Sequence, residues 1–312
     1  KSLMKIVFIG AGQVFGWHAE QFCQAAPEGS EFYVVEPDDY LAKTAGMTRL
    51  TLAEAARLAD LAIIMTPSSV RWEVCEPFVR SRIPLMVEKP LTIRWAEIAL
   101  FSEAASQTWI CPIVNARVLP RVEKIVRSAV NPVLVQSWKV RFRPCDYYQG
   151  WHGKFATDGG VLAQQGFHCL DLVCWAGGMP TSVKAIGKNL LPYRIECEDT
   201  ASVEVKFANG CRGEVECTTA AGHDGNAGLR IISDIGEDAT EAFAFDNASG
   251  HSILAEKVMT ALSSQGAPPI SVDSVIPSLR MLHACYVSMD QGGASVAVGV
   301  EHPKLGRGVI TE

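Results

Sequence analysis

The sequence has no uninterrupted apolar run that approaches the length of a bilayer span. Its apolar N-terminal stretch, residues 6–9, leads into a glycine turn rather than a signal-peptide cleavage site. Basic residues are not in excess, since 28 Lys and Arg face 34 Asp and Glu and the net charge is −6. Without a basic stripe, binding to nucleic acid or to an anionic membrane has no electrostatic basis. We therefore expect a cytoplasmic globular protein whose partners are small molecules.

The sequence also lacks a metal-binding pattern. Its 10 cysteines and 7 histidines are scattered, with no Cys-x-x-Cys spacing and no paired Cys/His spacing. A metal would need ligands gathered from unrelated parts of the chain. We predict reduced, mostly buried cysteines and no metal site, and we interpret His251, His283 and His302 as structural residues.

What the sequence does contain is enough apolar material for a core. Of its 312 residues, 48% are hydrophobic, which suffices for one large domain or two ordinary ones. In the first third, short apolar strands alternate with helical stretches, a spacing typical of βαβ units in a doubly wound parallel sheet. Strands are predicted at residues 4–9, 31–35, 48–50, 61–65, 85–88 and 110–114, and helices at 17–25, 39–45, 52–58, 70–80 and 94–107.

A glycine turn lies between the first strand and the first helix. Gly10 would allow the tight turn, and Gly12 would let a pyrophosphate approach the backbone. The N–H groups at the start of the helix, near Gln13 and Val14, would attract that anion. Phe15 stands where a third glycine usually permits close packing of helix and strand, so this packing must be made differently. An ordinary strand-to-helix turn is the alternative interpretation.

Glu36 supplies a check on the glycine turn. It ends the second strand about twenty residues after the turn, where an acidic side chain accepts hydrogen bonds from the adenosine ribose hydroxyls of a dinucleotide. Residues 37–39 add negative charge and no Arg, so a 2′-phosphate would be repelled and would find no cationic partner. The pattern therefore favours NAD(H) over NADP(H).

The strand at residues 85–88 ends abruptly in Glu88, Lys89 and Pro90. Ligands of open α/β sheets bind beyond the carboxyl ends of the strands, so Lys89 would face both cofactor and substrate. Thr66 and Pro67 close the preceding strand at the same edge and could line a nicotinamide site. The alternatives are a solvated Glu-Lys pair and a plain turn before the next helix.

The composition changes near residues 115–120, and we place the domain boundary there. Beyond a helix at 121–129, residues 133–143 predict a long strand, and residues 202–207 and 211–218 alternate cleanly around an Ala-Asn-Gly turn. Further strands at 183–190 and 229–235 complete a mostly antiparallel sheet, and helices near 252–263 and 275–290 close the domain.

Three basic residues of the long strand, Lys139, Arg141 and Arg143, share one face by the period of two. They could hold an anionic group of a substrate, such as a carboxylate or a diphosphate. They could instead lie on an outer sheet face or interface, opposite Glu204, Glu214 and Glu216. We favour the second interpretation.

Residues 160–175 predict one helix that carries polar side chains on one face. Gln164 and His168 are four residues apart, and Asp171 follows three residues later. A buried His near a carboxylate is often a satisfied structural residue. Upstream, Tyr148 and Trp151 would suit stacking on a sugar ring, although aromatic residues of loops more often pack on their own domain.

Taken in order, these motifs resemble those of the glucose–fructose oxidoreductase / inositol dehydrogenase (Gfo/Idh/MocA-type) family. The resemblance rests on Gly10-Ala11-Gly12 with His18, Thr66-Pro67, Glu88-Lys89-Pro90, and the pattern Gly-Gly-x-Leu-x-x-Gln-Gly-x-His-x-x-Asp from Gly159. It spans nearly the whole chain. The Gln-Gly-x-His version with Tyr-Tyr-x-x-Trp upstream is similar to the branch of nucleotide-sugar and other pyranose dehydrogenases.

The resemblance implies roles for individual residues. It implies that Lys89 lies beside the nicotinamide and the reacting carbon, and that His168 is the acid/base residue. Gln164 stands where many members carry Asp, and because an amide cannot take a proton, proton transfer would rest on His168, with or without assistance from Lys89. Arg71 stands where many members carry a His, so no role is transferred to it.

We therefore expect an α/β protein with a Rossmann domain at residues 1–117 and an α+β substrate and oligomerisation domain at 118–312. The expected activity is NAD(H)-dependent interconversion of a secondary alcohol and a ketone on a sugar, sugar derivative or nucleotide sugar. The alternatives are a family member that acts on a non-sugar carbonyl or imine, and a non-catalytic NAD(H)-binding sensor or scaffold. The family also implies a homo-dimer or homo-tetramer formed through the C-terminal sheet.

Overall fold

The computed structural model describes residues 3–243 and 247–307. The chain forms two compact units. Of the described residues, the first consists of 3–91, 97–115 and 247–273, and the second of 92–96, 116–243 and 274–307. No helix of the described residues is both long enough and apolar enough to cross a bilayer.

The first half of the chain folds as predicted into alternating strands and helices. Its strands β1 and β4 are buried throughout their centres, because a parallel sheet in a doubly wound fold is covered on both faces. The elements are β1 (Lys5–Ile9), α1 (Phe15–Ala25), β2 (Glu31–Val35), α2 (Asp39–Thr44), β3 (Thr48–Arg49), α3 (Leu52–Leu58), β4 (Leu61–Ile64), α4 (Arg71–Arg80), β5 (Leu85–Glu88), α5 (Trp95–Gln107) and β6 (Ile110–Ile113).

The six strands pair in parallel in the order β3-β2-β1-β4-β5-β6. The order reverses between β1 and β4, and the crevice beyond the carboxyl ends of strands at such a reversal is where ligands of this architecture bind. The glycine turn after β1 and the Thr66 turn after β4 both lie there. The predicted fold class is confirmed for this unit.

The second half is α+β, as predicted. A short 3₁₀ turn at Asn115–Val118 precedes it. The elements that follow are α6 (Pro120–Ser128), β7 (Pro132–Val140), α7 (Val161–Gln164), α8 (Phe167–Gly177), β8 (Pro180–Lys188), β9 (Thr200–Phe207), β10 (Arg212–Thr218), β11 (Ala227–Ser233), β12 (Asp238–Phe243), α9 (Asn247–Ser263), α10 (Ile276–Asp290) and β13 (Val296–Ala297).

Seven strands form the second sheet in the order β12-β11-β7-β10-β9-β8-β13. Only β7 and β10 pair in parallel among the described strands of this sheet. The inner face carries the core, and α8 packs on it and against α10. Apolar residues of four neighbouring strands meet there, each nearly inaccessible to solvent: Val135, Val203, Val215 and Leu229.

The predicted helix at 160–175 is interrupted. It divides into α7 and α8, and at the break the Gly166 N–H donates to the Val161 carbonyl at 2.7 Å, one residue beyond normal helical spacing. A Cβ atom at Gly166 would lie 2.9 Å from Cys217 Sγ, so glycine allows the helix to approach the sheet closely at this point.

We interpreted the three basic residues of the long strand as lying on the outer face of the sheet, and this interpretation is wrong for Lys139. In the parallel register Lys139 lies beside Cys217, so Glu216 points to the opposite side of the sheet. Lys139 is buried on the inner face, where its exposed fraction is 4%. The period of two grouped these residues correctly, but the face depends on the register with a distant strand.

Helix α9 departs from the predicted division of the chain. Sequence analysis assigned residues 118–312 to one domain, whereas α9 groups with the first unit and packs against α1. The contact buries His251 against the His18 ring, with centroids 4.6 Å apart. The predicted boundary near residue 117 remains a prediction.

Candidate active site

The glycine turn of the first unit has the geometry that a dinucleotide needs. Gly10 has φ +95°, a backbone conformation that favours glycine, and a Cβ atom there would lie in van der Waals contact with the Met65 backbone, at 3.4 Å. A Cβ at Gly12 would meet no described atom within 4 Å, which leaves space for a ligand at the backbone. Gln13 and Val14 follow, and α1 begins at Phe15.

Phe15 makes the helix-strand packing that the missing third glycine would otherwise allow. Its ring packs edge-on against Phe8 of β1, with ring centroids 5.6 Å apart. A Cβ atom added at Gly16, one residue later, would meet no atom of the described residues within 4 Å. An aromatic contact therefore replaces a close backbone approach.

Glu36 is buried and holds the turn in shape. Its carboxylate accepts the Ala11 N–H at 2.7 Å and the Asp38 N–H at 3.0 Å. A carboxylate offers about four acceptor positions, so further hydrogen bonds from ribose hydroxyls fit this group. The residue predicted to bind ribose thus also orders the loop that would receive the pyrophosphate.

Arg71 connects the Thr66 turn to the backbone around Lys89. Its buried guanidinium donates to the Thr66 carbonyl at 3.1 Å, to the Glu88 carbonyl at 2.7 Å, and to the Pro90 carbonyl. Burial lowers the pKa of Arg71 to about 10, and the nearby Glu88 charge offsets part of that effect. Sequence analysis transferred no role to Arg71, because many members of the similar family carry a His there, and its backbone acceptors leave no trace in side-chain patterns.

Glu88 holds the backbone of Lys89 from the other side. It accepts the Lys89 N–H at 3.0 Å through one oxygen and faces His18 Nε2 at 2.8 Å through the other. Burial alone would raise the pKa of Glu88, but the His18 hydrogen bond and the charges of His18, Lys89 and His251 lower it to about 2. Glu88 is therefore a buried anion near neutral pH.

His251 joins this cluster, which sequence reasoning missed because it lies far along the chain. Its Nδ1 lies 3.3 Å from the Asn115 amide nitrogen, and its ring meets His18 edge-on. The ligand atoms of His18, Glu88 and His251 lie within 4.8 Å of one another, a spacing that could hold a metal ion. The hydrogen bond between His18 and Glu88 already accounts for this spacing, and the absence of a metal stays a prediction.

Thr66 leaves a polar atom available to a ligand. Its Oγ1 is buried and has no hydrogen-bond partner among the described residues. A buried hydroxyl without a partner costs free energy, which a bound amide or hydroxyl group would offset. Together with Gly12 and Glu36, this orphaned atom fits a nicotinamide dinucleotide. Pro67 follows directly and ends the strand pairing.

In the second unit, Gln164 is held at both ends of its amide. Its Oε1 accepts the Tyr147 hydroxyl at 2.9 Å, and its Nε2 donates to the Gly159 carbonyl at 2.9 Å. Burial raises the pKa of Tyr147 beyond its usual range, so the phenol stays protonated and donates. Tyr147 belongs to the candidate site although sequence analysis named only its neighbour.

His168 lies in the first turn of α8 with an exposed fraction of 6%. Asp171, one turn later, forms an ion pair with Arg117. Both of its oxygens accept from Arg117, at 2.6 and 2.7 Å, and Ser278 adds a bond at 3.3 Å. Sequence analysis placed His168 and Asp171 on one helical face. In the structure the Asp171 carboxylate binds Arg117 and so anchors α8 to the start of the second unit.

The aromatic residues of the 147–152 loop pack on one another. Tyr147 stacks on His152 with centroids 4.0 Å apart, and Trp151 covers His152 at 3.7 Å while remaining 43% exposed. The Tyr148 hydroxyl bonds Thr219 Oγ1 at 2.6 Å. Tyr148 and His152 also line a cavity of about 630 Å³, together with Lys154, Phe155, Arg194, Glu196 and Lys304. Trp151 and Tyr148 remain predicted substrate contacts.

Glu198 supports the short helix that carries Gln164. Its carboxylate accepts the Leu162 N–H at 3.0 Å and the Tyr286 hydroxyl at 3.1 Å. Burial raises the pKa of Glu198 to about 7, partly offset by these hydrogen bonds. Sequence reasoning did not single out this residue, since nothing local distinguishes it from an exposed glutamate.

The chain is similar to known proteins in part of its sequence and in its fold. Residues 131–237 match the model of the GFO/IDH/MocA C-terminal domain. No curated protein matches the chain by sequence. The WlbA dehydrogenase from Chromobacterium violaceum, solved with NADH and UDP-GlcNAcA, is similar in structure, with a TM-score of 0.84 and 22% identity over 96% of this chain and 97% of that one.

Two further solved structures share the fold. GenD2 from gentamicin A biosynthesis, in complex with NAD, has a TM-score of 0.85 and 18% identity over 96% of this chain and 97% of its own. A levoglucosan dehydrogenase in complex with NADH has a TM-score of 0.82 and 14% identity over 95% and 99% of the two chains. Together with the match over residues 131–237, they bear out the resemblance inferred from the motifs: that segment is similar to the C-terminal domain of the GFO/IDH/MocA family, and the whole chain shares the fold of these solved structures.

Proposed function

We propose that this protein is an NAD(H)-dependent oxidoreductase that interconverts a secondary alcohol and a ketone on a sugar, a sugar derivative or a nucleotide sugar. The observation that carries the proposal is the fixed backbone around Lys89. Arg71 and Glu88 bind it on both sides, at the carboxyl end of β5 and beside the Thr66 turn. The similar structures support the substrate class, since WlbA was solved with NADH and UDP-GlcNAcA and another neighbour is a levoglucosan dehydrogenase.

The cofactor is proposed to be NAD(H) in preference to NADP(H). When bound, it supplies the hydride acceptor or donor of the reaction. Glu36 would receive the ribose hydroxyls, and Asp38 and Asp39 follow in the same loop. A 2′-phosphate placed near these carboxylates would be repelled. In the described residues the one cation bonded to this loop, Arg49, is engaged by Asp39 at 2.5 Å and by the Pro37 carbonyl at 2.8 Å.

We assign the transfer of the substrate's hydroxyl proton to His168. Its imidazole would accept the hydroxyl proton during oxidation and return it during reduction. The Lys89 ammonium would donate a hydrogen bond to the same oxygen and stabilise its developing negative charge. Gln164 would orient the substrate hydroxyl but cannot take its proton, because an amide has no basic site near neutral pH.

A substrate panel tests the function. Purified protein would be incubated with NAD and, in separate reactions, with free hexoses, polyols, hexuronates and nucleotide sugars, with NADH formation followed by absorbance. Turnover of a sugar with NAD, and at least about tenfold lower kcat/KM with NADP, is expected from loss of the ribose contacts. Turnover only of a non-sugar carbonyl or imine would show that the substrate is not a sugar. Tight NADH binding without turnover of any compound would indicate a sensor or scaffold instead.

We also propose a homo-oligomer that forms through the outer face of the second sheet. That face includes Trp138 and Gln136, which alternate with the buried residues of β7. Light scattering at several protein concentrations would report its mass, and a strict monomer at every concentration would refute this assembly.

A further inference from the structure

A row of cations runs from the buried end of β7 toward the loop that carries Tyr147. Lys139 lies on the inner face of the sheet and is almost fully buried. The alternation continues past the strand, because Arg141 and Arg143 are half-buried whereas Phe142 and Pro144 between and beyond them are exposed. Backbone bonds from Arg141 and Arg143 to the Thr218 and Thr219 carbonyls, at 2.9 and 3.1 Å, fix their positions.

The two guanidinium groups hold like charges close together in a partly dehydrated place. Burial lowers the pKa of Arg141, and the charge of Arg143 lowers it further, whereas Asp224 opposes this effect. Asp224 Oδ2 pairs with Arg141 at 3.2 Å but is itself half exposed. Asp224 thus offsets only part of the positive charge of the two arginines, and the pair keeps a positive potential.

Both arginines also retain donors that protein atoms do not use. Their Nε atoms are buried and have no hydrogen-bond partner among the described residues. Unsatisfied buried donors are rare and costly. The Arg141 side chain is still 21% exposed, so rotation of the long side chain can turn its planar donor edge toward a ligand.

The row adjoins the residues assigned to the substrate. The Arg143 guanidinium lies over the Tyr147 ring, 4.9 Å from its centroid, and the Tyr147 hydroxyl bonds Gln164. His152 also stacks on this ring, and it lines the same cavity as Tyr148. A substrate group beside Gln164 would therefore be within one side-chain length of Arg143.

We propose that Arg141 and Arg143, with Lys139 behind them, form a subsite for an oxyanion of the substrate, either a carboxylate or a phosphate. This inference rests on the proposed function and narrows it to acidic sugars or phosphate-linked sugars. Arginine forks match the planar geometry of both groups. The subsite contributes affinity and orientation, whereas the chemical step stays with His168 and Lys89.

Four compounds distinguish the sources of the oxyanion: a neutral methyl hexoside, a free hexuronate, a nucleoside-diphosphate hexose and a nucleoside-diphosphate hexuronate. Wild type, Arg143→Gln, Arg141→Gln and Arg141→Lys would be compared for kcat and KM with each. Arg212→Gln is the matched control, because it removes an exposed arginine from β10 of the same sheet. Thermal unfolding and the NADH Kd of each variant verify the fold.

Each Gln variant should raise KM for anionic compounds about 10- to 100-fold, the usual effect of losing a charge-assisted hydrogen bond. Arg141→Lys should raise KM for the anionic compounds less than Arg141→Gln does. The KM for the neutral hexoside should not change in any variant, and Arg212→Gln should change no KM. An effect on the free hexuronate assigns the subsite to a carboxylate, and an effect on the nucleoside-diphosphate hexose, whose sugar is neutral, assigns it to the phosphates.

Two results overturn the inference. One is an equal rise in KM for neutral and anionic compounds in the Arg141 and Arg143 variants. The other is efficient turnover of the neutral hexoside alone, which would refute the subsite but remain consistent with the proposed function. If wild type turns over none of the four, calorimetry of the NADH-loaded protein decides between the claims. Anion binding that weakens in the Gln variants supports the subsite and excludes these four sugars as substrates, whereas no binding at all refutes the subsite.

Discussion

Glu198 is a buried carboxyl group whose titration should be visible in the stability of the protein. Its carboxylate accepts hydrogen bonds from the Leu162 N–H of α7 and from the Tyr286 hydroxyl of α10. Burial raises the pKa of Glu198 to about 7 from an ordinary value of 4.5. Between these values the folded state binds a proton that the unfolded chain releases. The stabilisation of the folded state by this proton is fully present below about pH 4.5 and is lost as the pH rises to about 7.

The size of the effect follows from the shift. Each unit of pKa corresponds to about 1.4 kcal/mol, so the folded state should lose up to about 3 kcal/mol across this range. Glu198→Gln removes the titration while keeping an oxygen that can accept the same two bonds. The variant should match wild type near pH 5 and should exceed it by up to about 3 kcal/mol near pH 8.

Urea unfolding of both proteins near pH 5 and pH 8 measures the difference directly. Glu204→Gln is the matched control, because Glu204 is an exposed glutamate of β9, the strand that follows Glu198. It should leave the pH dependence unchanged. Parallel pH profiles of wild type and Glu198→Gln, within about 0.5 kcal/mol, would refute the assignment of a buried, proton-binding Glu198.

Three other substitutions test the framework of the site. Arg71→Lys should lower the free energy of unfolding by about 2 kcal/mol or more, since one ammonium cannot serve all the carbonyls that the guanidinium binds; an unchanged urea midpoint would contradict this. Glu36→Gln should raise the Kd for NADH about tenfold and that for NADPH by less, measured by fluorescence titration, because both cofactors use the loop that Glu36 orders but only NADH has a 2′-hydroxyl for it to bind; equal changes in both would contradict it. Asp171→Asn should cost about 3 kcal/mol by leaving Arg117 buried without its anion, and the double variant Asp171→Leu/Arg117→Met should recover stability in urea unfolding; additive losses would contradict it.

The first unit could be predicted closely because its signals are local. Strand, glycine turn and acidic strand end occur in order within the first 36 residues, and each is dictated by backbone conformation or strand burial. Element ends differ from prediction by a few residues at most, since helices fray and start in their preceding turns. Phe15 could be recognised as a departure, but its contact with Phe8 became known only from the structure.

The second unit was predictable in class but not in detail. The break between α7 and α8 depends on Gly166 facing Cys217, which comes from a strand far along the chain. Likewise, Lys139 faces inward because β7 pairs in parallel with β10, and no local pattern specifies that register. Long-range contacts of this kind decide which polar residues of a correctly predicted strand meet solvent, core or ligand.

The contacts around Lys89 show the same limit. The Glu-Lys-Pro sequence identified the position, but the groups that hold it come from elsewhere: Arg71 from α4, His18 from α1 and His251 from α9. Arg71 in particular acts through backbone carbonyls. A residue at a position where the family often carries a different side chain thus acquires a defined structural role only when its acceptors are seen.

The roles of Lys89 and His168 are tested most directly by the rate of the first turnover. Wild type, Lys89→Met and His168→Asn would be mixed with NAD and the best substrate of the panel, with NADH formation followed in a stopped-flow instrument. The first-turnover rate should fall at least about 100-fold in each variant while the Kd for NAD stays within about threefold of wild type. First-turnover rates close to wild type in both variants would contradict the assignment of the proton and the oxygen contact to these residues.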